Sequence, residues 1–577
     1  MPANNATPRL YVDVYPYEGG KYSITGNAAN VISCTTHKDI RSSGPGTFQL
    51  VLAPSGPSGT NYGPSWTEII TPMSLVVIGM KRYDHRQIVM IGVVTGTTES
   101  QSWQTGRGVQ RAIIVNGADF QYFFSTFSYY TLSMLGATQG EPFGAYVGMP
   151  DAGIPIILGK SLLIGSPASV GAAWYNLIMA GNEGILSQTS LNYNNSNVLF
   201  PNLMSTLFEE YPTTYGGVLI PMGNYFMATA GNWTSKFMKM FPFPFYEFFV
   251  ITAPTSYGPY DTQSTTYTYN KATKQSYASS GISDSAVPIS LNPQDGTGFL
   301  SASPTLVARV NPLPYVNGYN NGKFTITSNR WQKNLQRFTL ENEGFIKSSV
   351  SFSLSEVRNF YVINPTWFTQ MFGVNNSNMN AFIYTFASWI DNPSIHRYGY
   401  RPETFEIEWF ADPSGQIAQM NSANQQGFQQ LVQNLALRLT SYFEPTPNMA
   451  SGELIIELRP DIIPGNVITY KPFKTGPQAN EDWDFYITSV THTYEFGGRS
   501  YTTLVISTGL PKAVYDNPSL LTALHTNSAM RQNGVYVANP GNTPVGLQPI
   551  SIGTTSIQQI LGQSAQIFTT PQGATGQ

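Results

Sequence analysis

The stretch that most constrains the fold lies at residues 452–511, where short β-prone runs alternate with turn residues. Four runs are rich in β-branched and aromatic side chains, which suit a pleated surface: residues 453–458, 466–470, 484–494 and 499–507. Glycine and proline separate these runs, so the chain reverses direction repeatedly. The pattern predicts a compact antiparallel barrel or sandwich, and it contains no catalytic group.

Two turns are expected to set the register of this element. Pro464 pre-sets one backbone dihedral and Gly465 accepts the next, between the first two runs. Gly497 and Gly498 separate the last two runs. We expect a two-residue type I′ hairpin turn there, because that turn needs positive φ at both central residues. These four residues are the predicted structural turn positions.

A similar pattern occurs near the N-terminus. Residues 47–52 match the first run, the turn at 71–74 leads into 75–78 as 463–466 leads into 467–469, and the last two runs are matched by 88–97 and 108–117. The correspondence predicts a duplicated β module. We therefore expect a mainly β fold with α insertions (α+β), built from two related antiparallel β-barrel modules, a helical insertion and a mixed middle domain.

The predicted domains follow changes in composition along the chain. We expect a first β-barrel module at residues 1–118, a helical insertion at 119–240, a mixed middle domain at 241–400, a second β-barrel module at 401–512 and an extended arm at 513–577. Apolar residues recur at helical spacing in four segments: 120–135, 172–180, 202–211 and 419–442. Residues 351–362 have a strand-like composition, and the polar segment 262–293 is typical of a long exposed loop.

The C-terminal arm has a composition of its own. Between Gln532 and Gln577 there is no charged residue, and Gly, Thr, Gln, Ser and Pro dominate. Such a segment cannot bury enough apolar area to fold alone, so we expect it to order on a partner or on its own oligomer, or else to remain a disordered tail. The expected anchors are five aliphatic residues: Ile550, Ile552, Ile557, Ile560 and Leu561.

Charge is scarce in this chain. Charged residues make up 11% of the sequence, against about 25% in typical globular proteins, while aromatic residues make up 13%. This favours extensive subunit contacts, where charges are depleted and aromatics enriched; a Tyr- and Asn-coated secreted protein is the alternative. The net charge of −3 gives no basic footprint for reading nucleic-acid sequence.

The single cysteine and the chain termini bear on the compartment. Cys34 cannot form an intrachain disulfide, which indicates assembly in a reducing compartment, and its apolar strand predicts a buried structural thiol. The N-terminus lacks the features of a secretory signal. The apolar segment 154–164 is too short and too interrupted to cross a bilayer, so no membrane-spanning segment is expected.

No catalytic or metal-binding constellation is found in the sequence. The five histidines are not spaced as a metal pair. Glu209 and Glu210 are adjacent, so on a helix they would point to different faces and would not form a two-carboxylate site. The run 158–161 (LGKS) lacks the glycine that a phosphate loop needs five positions before Gly159. We expect no enzyme activity, no cofactor and no metal.

A family resemblance emerges when the segments are taken in order. The run 484–504 (DFYITSVTHTYEFGGRSYTTL) resembles the closing hairpin of phage tail baseplate hub proteins. These are trimeric proteins related to the late control protein of contractile phages and to the base of type VI secretion spikes. Four further segments resemble parts of those proteins in the same order: 103–119, 241–250, 304–314 and 397–401. The resemblance covers residues 25–510 and is weak over 121–236.

The resemblance implies a structural role in the virion, with assembly in the host cytoplasm. The chain would be a homotrimeric baseplate hub that adapts the six-fold tail tube to the three-fold central spike. Its partners would be the tail tube protein, the central spike protein, the tape-measure protein and other baseplate proteins, with transient passage of DNA through the lumen. Two barrels per chain in a trimer give a pseudo-six-fold ring on which tube subunits can stack.

Two alternatives stay open. One is a carbohydrate-binding tail or surface protein that uses tyrosines in or beside the polar loop: Tyr257, Tyr260, Tyr267, Tyr269 and Tyr277. Tyrosine-rich loops serve protein contacts equally well. The other alternative is a hub with an embedded peptidoglycan-cleaving activity.

Overall fold

The structure is a computed structural model of the chain. It describes residues 7–25, 30–54, 64–104, 108–126, 128–129, 190–199, 203–208, 214–215, 218–219, 231–232, 246–254, 265–270, 275–280, 287–293, 296–312, 315–320, 323–327, 335–340, 344–364, 384–387, 398–406, 442–443, 446, 449–475 and 479–512.

Strands dominate these residues. In chain order the elements are β1 (Arg9–Tyr15), β2 (Tyr22–Thr25), β3 (Val31–Asp39), β4 (Thr47–Leu52), α1 (Trp66–Ile69), β5 (Leu75–Arg82), β6 (His85–Gln104), β7 (Gly108–Asp119), α2 (Gln121–Thr126), β8 (Ser128–Tyr129), β9 (Ser190–Tyr193), β10 (Ser196–Leu199), β11 (Ser205–Phe208), β12 (Thr214–Tyr215), β13 (Val218–Leu219), β14 (Gly231–Asn232), β15 (Tyr246–Pro254), β16 (Thr265–Asn270), β17 (Gln275–Ser280), β18 (Ala302–Val310), β19 (Tyr315–Asn320), β20 (Lys323–Thr327), β21 (Arg337–Thr339), β22 (Phe345–Phe352), β23 (Phe360–Asn364), β24 (Tyr384–Ala387), β25 (Pro402–Glu406), β26 (Ala450–Glu457), β27 (Val467–Tyr470), β28 (Trp483–Glu495) and β29 (Tyr501–Pro511).

One large sheet of 13 strands organises the molecule. Its main path runs β2-β1-β5-β6-β7-β4-β3-β28-β29-β26-β22, while β27 pairs with β28 and with β21. Its pairs are antiparallel except β21–β27, which confirms the predicted mainly antiparallel β fold. Among the described residues the path stays open at β2 and β22, so neither predicted module closes into a barrel.

Alternating side chains explain why the sheet has a buried face. In β4, Phe48 and Leu50 are buried whereas Thr47 and Gln49 are exposed, the period of two expected of a half-buried strand. The buried face covers one hydrophobic core under β1–β7 and another under β26–β29. Leu458 contributes to the first core although it follows β26, so the two cores adjoin.

Cys34 lies fully buried in the first core, as the sequence predicts. Burial raises the pKa of its thiol to about 12, because the apolar surroundings disfavour the thiolate. The thiol is therefore unreactive at neutral pH, since the thiolate is the nucleophilic form.

The two halves of the large sheet repeat one strand order. The path β5-β6-β7-β4-β3 in the first half corresponds to β27-β28-β29-β26-β22 in the second. In both, a loop residue before the first of these strands donates its N–H to a strand carbonyl at 2.8 Å: Met73 to Val94, and Gly465 to Ile487. The N–H groups of Val94 and Ile487 donate back, each at 2.9 Å, to Ser74 and Asn466 respectively.

Two further details follow the same correspondence. Met73 and Gly465 have φ of +68° and +78°, each directly after a proline. A β-bulge follows Val94 in β6 and Ile487 in β28. Bulges are conserved features of sheets, so their shared position aligns the two halves residue by residue, with Val94 equivalent to Ile487.

A middle layer packs on the first half of the sheet. β15 and β18 pair along their length, and the hydroxyl of Thr252 in β15 accepts the N–H of Ile91 at 2.9 Å. Tyr11 meets Phe299 edge to face, with ring centroids 5.4 Å apart. Together with β11, strands β15 and β18 form a three-stranded sheet in the order β11-β18-β15. The remaining described strands form a second three-stranded sheet, β24-β23-β25, and five two-stranded pairs.

Several local predictions are wrong. Residues 205–208, inside the helical prediction for 202–211, form β11, which pairs in parallel with β18. The helix predicted over 120–135 covers only 121–126 before β8 begins. The polar segment 262–293 contains the hairpin β16–β17 and two buried residues, Ile289 and Leu291. The strand predicted over 351–362 is interrupted between β22 and β23.

Other predicted features lie outside the described residues. They are the helix at 172–180, almost all of the helix at 419–442, the run 158–161, the pair Glu209–Glu210, and the arm with Ile550, Ile552, Ile557, Ile560 and Leu561. Tyr257 and Tyr260 also lie outside them.

Candidate functional surface

The exposed face of the large sheet runs without interruption from its first half to its second. Cross-strand register connects the residues, because antiparallel partners lie on the same face. One row passes from Thr47 through His37, Thr491 and Thr503 to Ile455. Equivalent rows lie on either side of it.

Hydroxyl and amide side chains dominate this surface, which we call the hydroxyl face. Its exposed and half-exposed members are Ser33, Thr35, His37, Thr47, Gln49, Val51, Thr98, Ser100, Ile114, Asn116, Ser349, Ser351, Ser451, Glu453, Ile455, Thr491, Tyr501, Thr503 and Val505. Charged groups on the same register are Asp39, Lys347, Glu453, Glu457 and Glu495. Two arginines also reach the face: Arg41 donates to the Ser507 hydroxyl at 2.9 Å, and Arg82 pairs with Glu457 at 2.9 Å. The face is therefore sparsely charged, with acidic groups outnumbering basic ones.

Side-chain hydrogen bonds hold the hydroxyl face in order. His37 Nδ1 lies 2.8 Å from the Thr491 hydroxyl, a contact between the two halves of the sheet. Gln49 donates through Nε2 to Asn116 Oδ1 at 3.1 Å. These bonds satisfy polar groups laterally, so the face presents fixed hydroxyl and amide groups.

A buried ionic network lies behind the contact between the two halves. Lys38 Nζ donates to Asp119 Oδ2 at 2.8 Å and to Gln121 Oε1 at 2.6 Å. The Gln121 N–H donates to Asp119 Oδ1 at 3.0 Å. Burial raises the pKa of Asp119 above its usual range, although the Lys38 ammonium and the backbone hydrogen bonds oppose the shift. The network joins β3, the end of β7 and the start of α2.

Two further titratable groups lie near this contact. Burial lowers the pKa of His492 to about 4, against the opposing effect of Asp461, so the ring is neutral at pH 7. Its Nδ1 lies 3.0 Å from the Thr502 hydroxyl. Burial acts to raise the pKa of Asp461, but hydrogen bonds from Arg459 and His85 prevail and hold it well below its usual range. His85 and Asp461 thereby connect β6 to the turn before β27.

A small cavity of about 30 Å³ lies beside these groups, lined among others by Lys38, Asp119 and His492. It has room for a water molecule but not for a sugar or a peptide. The described residues contain no group of three His, Cys, Asp or Glu side chains that could hold a metal ion. Among the helices that the structure describes, none is long and apolar enough to span a bilayer.

The predicted turn residues occupy two loops of the second half. Gly465 follows Pro464 with φ of +78°. The type I′ turn predicted at Gly497–Gly498 is wrong: Gly497 has φ of +69°, but Gly498 is outside the left-handed region. The Gly498 N–H donates to the Glu495 carbonyl at 3.2 Å, so Phe496 and Gly497 are the central residues. Positive φ at the third position is typical of a type II turn.

The tyrosines proposed for carbohydrate binding fall partly on β16 and β17. Tyr267 pairs with Ala278 and Tyr269 with Ser276, whereas Tyr277 pairs with Thr268. Tyr277 therefore lies opposite the residue between Tyr267 and Tyr269, one register position from each of them.

The hydroxyl face was missed by the sequence analysis. Its signal is the alternation of small polar residues with apolar ones, as in Thr47 and Gln49, which alternate with Phe48 and Leu50. The pattern is visible within single strands. Only the order in which the strands pair shows that these residues form one surface.

Comparison with known proteins gives structural likenesses only. No protein-family model and no curated protein matches the sequence. A tail protein from Neisseria meningitidis is 9% identical with a TM-score of 0.35, over 86% of this chain and 96% of that chain. The 43 kDa tail protein of prophage MuSo2 from Shewanella oneidensis is 11% identical with a TM-score of 0.35, over 88% and 100%.

A third likeness is to the E. coli c3393 protein, a type VI secretion component with structural similarity to the T4 bacteriophage tail proteins gp27 and gp5. It is 8% identical with a TM-score of 0.28, over 84% of this chain and 73% of that chain. TM-scores below 0.5 establish neither a shared fold nor a shared function. The function proposed below therefore rests on the sequence and on the sheet itself.

Proposed function

We propose that this chain is a structural baseplate hub of a phage tail. Three copies form a ring that adapts the six-fold tail tube to the three-fold central spike and encloses a channel for the tape-measure protein and DNA. The sequence resemblance supports this role, and so does the repeated strand order, because two equivalent units per chain give six around a three-fold axis. The two units are the duplicated β modules that the sequence predicts.

The hydroxyl face carries the proposal. A channel that passes DNA must not retain phosphates, and each Lys or Arg that contacts a phosphate adds affinity by releasing counterions. The hydroxyl face extends across both halves of the sheet and has more acidic than basic groups. Such a surface suits the wall of the channel, and the opposite face of the sheet is buried in the cores.

Oligomeric state is the first test. Light scattering of the purified full-length chain at micromolar concentration should give three times the chain mass. A folded monomer at every concentration up to about 100 µM, roughly a hundredfold above a Kd of about 1 µM, would overturn the hub role. Clearing of a peptidoglycan zymogram by the same preparation would instead support the alternative of an embedded lytic activity.

The channel wall is tested separately by adding positive charge. Thr35→Lys with Thr503→Lys places two cations on the hydroxyl face, and we expect normal particles that eject DNA more slowly at low salt. Ser196→Lys, on the exposed hairpin β9–β10, is the control with the same type of change away from the face. Equal ejection rates for the double variant and the control would show that the hydroxyl face does not meet DNA.

A further inference from the structure

Among the residues the structure describes, β22 and the second part of β6 each present an open edge of the large sheet. β22 pairs along one side with β26, and residues 95–101 of β6 pair along one side with β7. Each edge leaves a row of backbone N–H and C=O groups available to a further strand. Edges of this length are usually covered or paired, because otherwise they recruit other chains.

The repeat within the chain identifies what each edge fits. Because Val94 and Ile487 are equivalent and precede the same bulge, residues 95–101 correspond to 488–494 of β28. β22 corresponds to β3 in the same way. Ser349 pairs with Glu453, which pairs with Val505. In the first half, Thr35 pairs in the same way with Gln49, which pairs with Asn116.

The two edges that correspond to these in the repeat, β3 and residues 488–494 of β28, pair with each other inside one chain. β3 pairs with β28, with Thr35 opposite Thr493. We propose that β22 of one copy of this chain pairs with residues 95–101 of a second copy in the same antiparallel register. This register sets Ser349 opposite Ser100 and continues the hydroxyl face from chain to chain.

Hydrogen bonding at the internal contact defines the register further. The Ile40 N–H donates to the Thr488 carbonyl at 3.0 Å. The equivalent bond between copies runs from the Leu354 N–H to the Thr95 carbonyl. Hydrogen-bonded and non-bonded pairs alternate along an antiparallel ladder, so Ser349 and Ser100 form a non-bonded pair, whose Cα atoms lie about 4.5 Å apart.

Apolar side chains at the β22 edge support a second copy as the occupant. Phe352 and Leu354 are 47% and 48% exposed, whereas Lys38 and Ile40, their counterparts at the internal contact, are 7% and 4% exposed. The Phe352 ring already stacks on Phe473 at 5.7 Å, so its position is fixed before association. A contact like the internal one would cover both apolar side chains, which favours association.

The pairing is head to tail, because each copy uses two different edges. Such contacts close into a ring or continue as a filament, depending on the rotation between copies. Closure after three copies is the part of this inference that rests on the proposed function. The strand pairing itself is testable without it.

Cysteine cross-linking tests the register. Ser349→Cys with Ser100→Cys in the full-length chain should give disulfide-linked multimers under mild oxidation, because a non-bonded pair has the Cα separation that a disulfide needs. Cys34 stays in place because it is fully buried. Ser349→Cys with Gln101→Cys shifts the register by one residue to the opposite face and should not cross-link. Thr35→Cys with Thr493→Cys should form the equivalent bond within one chain.

The outcomes separate this inference from the proposed function. Trimers by light scattering without the Ser349–Ser100 cross-link, while the Thr35–Thr493 bond forms, would overturn the strand pairing and leave the hub role standing. Monomers that never cross-link would overturn both. Cross-linked multimers that are not trimeric would keep the pairing and remove the trimer.

A second variant covers the case in which the cysteine variants fail to fold. Phe352→Asp places a charge in the contact and should weaken association by about tenfold or more, since buried aromatic anchors dominate interfaces. Tyr17→Asp is the matched control, because Tyr17 is an aromatic residue with 51% exposure in the turn between β1 and β2, outside both edge strands. Unchanged association of a folded Phe352→Asp protein would also overturn the pairing.

Discussion

Replacing Lys38 with methionine tests how much the buried ion pair stabilises the first half of the sheet, directly behind its contact with the second half. Lys38→Met keeps most of the length of the side chain but removes its charge, leaving an unpaired Asp119 carboxylate whose side chain is 4% exposed. Removing one partner of a buried pair usually costs about 3–5 kcal/mol, because the remaining charge stays desolvated. We expect a loss of this size at pH 7.

The expected change in Tm follows from this free energy. For folding units of about 150–250 residues, 1 kcal/mol corresponds to roughly 2–4 °C, so Tm should fall by about 10 °C. Calorimetry and chemical denaturation of the full-length chain measure the two quantities. Lys38→Met with Asp119→Asn removes both charges and should recover at least half of the loss.

The pH dependence gives a sharper signature. A carboxyl whose folded-state pKa is raised binds its proton more readily when folded, so the Lys38→Met protein should regain stability as pH falls towards the unfolded-state pKa of about 3.9. The reasoning would be refuted if Lys38→Met stays within about 1 kcal/mol of the wild type from pH 5 to pH 8. That result would mean that water solvates Asp119.

Three further predictions concern the second half of the sheet. Gly452→Ala should cost about 2 kcal/mol or more of unfolding free energy and speed hydrogen exchange in β22, because the added Cβ would lie 1.9 Å from the Ser349 carbonyl oxygen. The control is Gly96→Ala, because a Cβ added there would meet no atom within 4 Å. Gly497→Val should cost about 1–2 kcal/mol in thermal unfolding, and Gly497→Asn clearly less, because asparagine tolerates positive φ; equal costs would contradict the turn assignment. His492 takes up a proton on unfolding, so its contribution is complete above pH 6.5 and falls by about 3 kcal/mol towards pH 4. The stability difference between wild type and His492→Gln should shrink over that range, and a constant difference would refute the assignment.

Strands with clear alternation and clear turn residues could be predicted from the sequence almost to the residue. Residues 47–52 form β4 as expected, and the predicted strand 484–494 is β28, one residue longer at each end. The match of 71–74 with 463–466 also pointed to the right correspondence, because a proline followed by positive φ recurs there. These features are decided by residues close together in the chain.

Features decided by distant residues could not be predicted. Leu203 and Leu207 fit a helical period, but β11 gains its hydrogen bonds from β18, which lies about a hundred residues further along the chain. Lys38 and Asp119 are 81 residues apart, and His37 and Thr491 are 454 apart. Nothing local marks these residues as partners, so neither the ionic network nor the continuous hydroxyl face is visible in the sequence.

The two halves of the repeat carry different residues, Lys38 and Phe352, at one equivalent position. This difference affects how the proposed assembly responds to temperature. Lys38 lies at the joint within a chain and pairs with Asp119 behind it, whereas Phe352 at the equivalent place offers an aromatic ring to the proposed joint between copies. Apolar association weakens on cooling. Chilled particles should therefore come apart at the joints between copies while each chain stays folded, and rewarming should restore them.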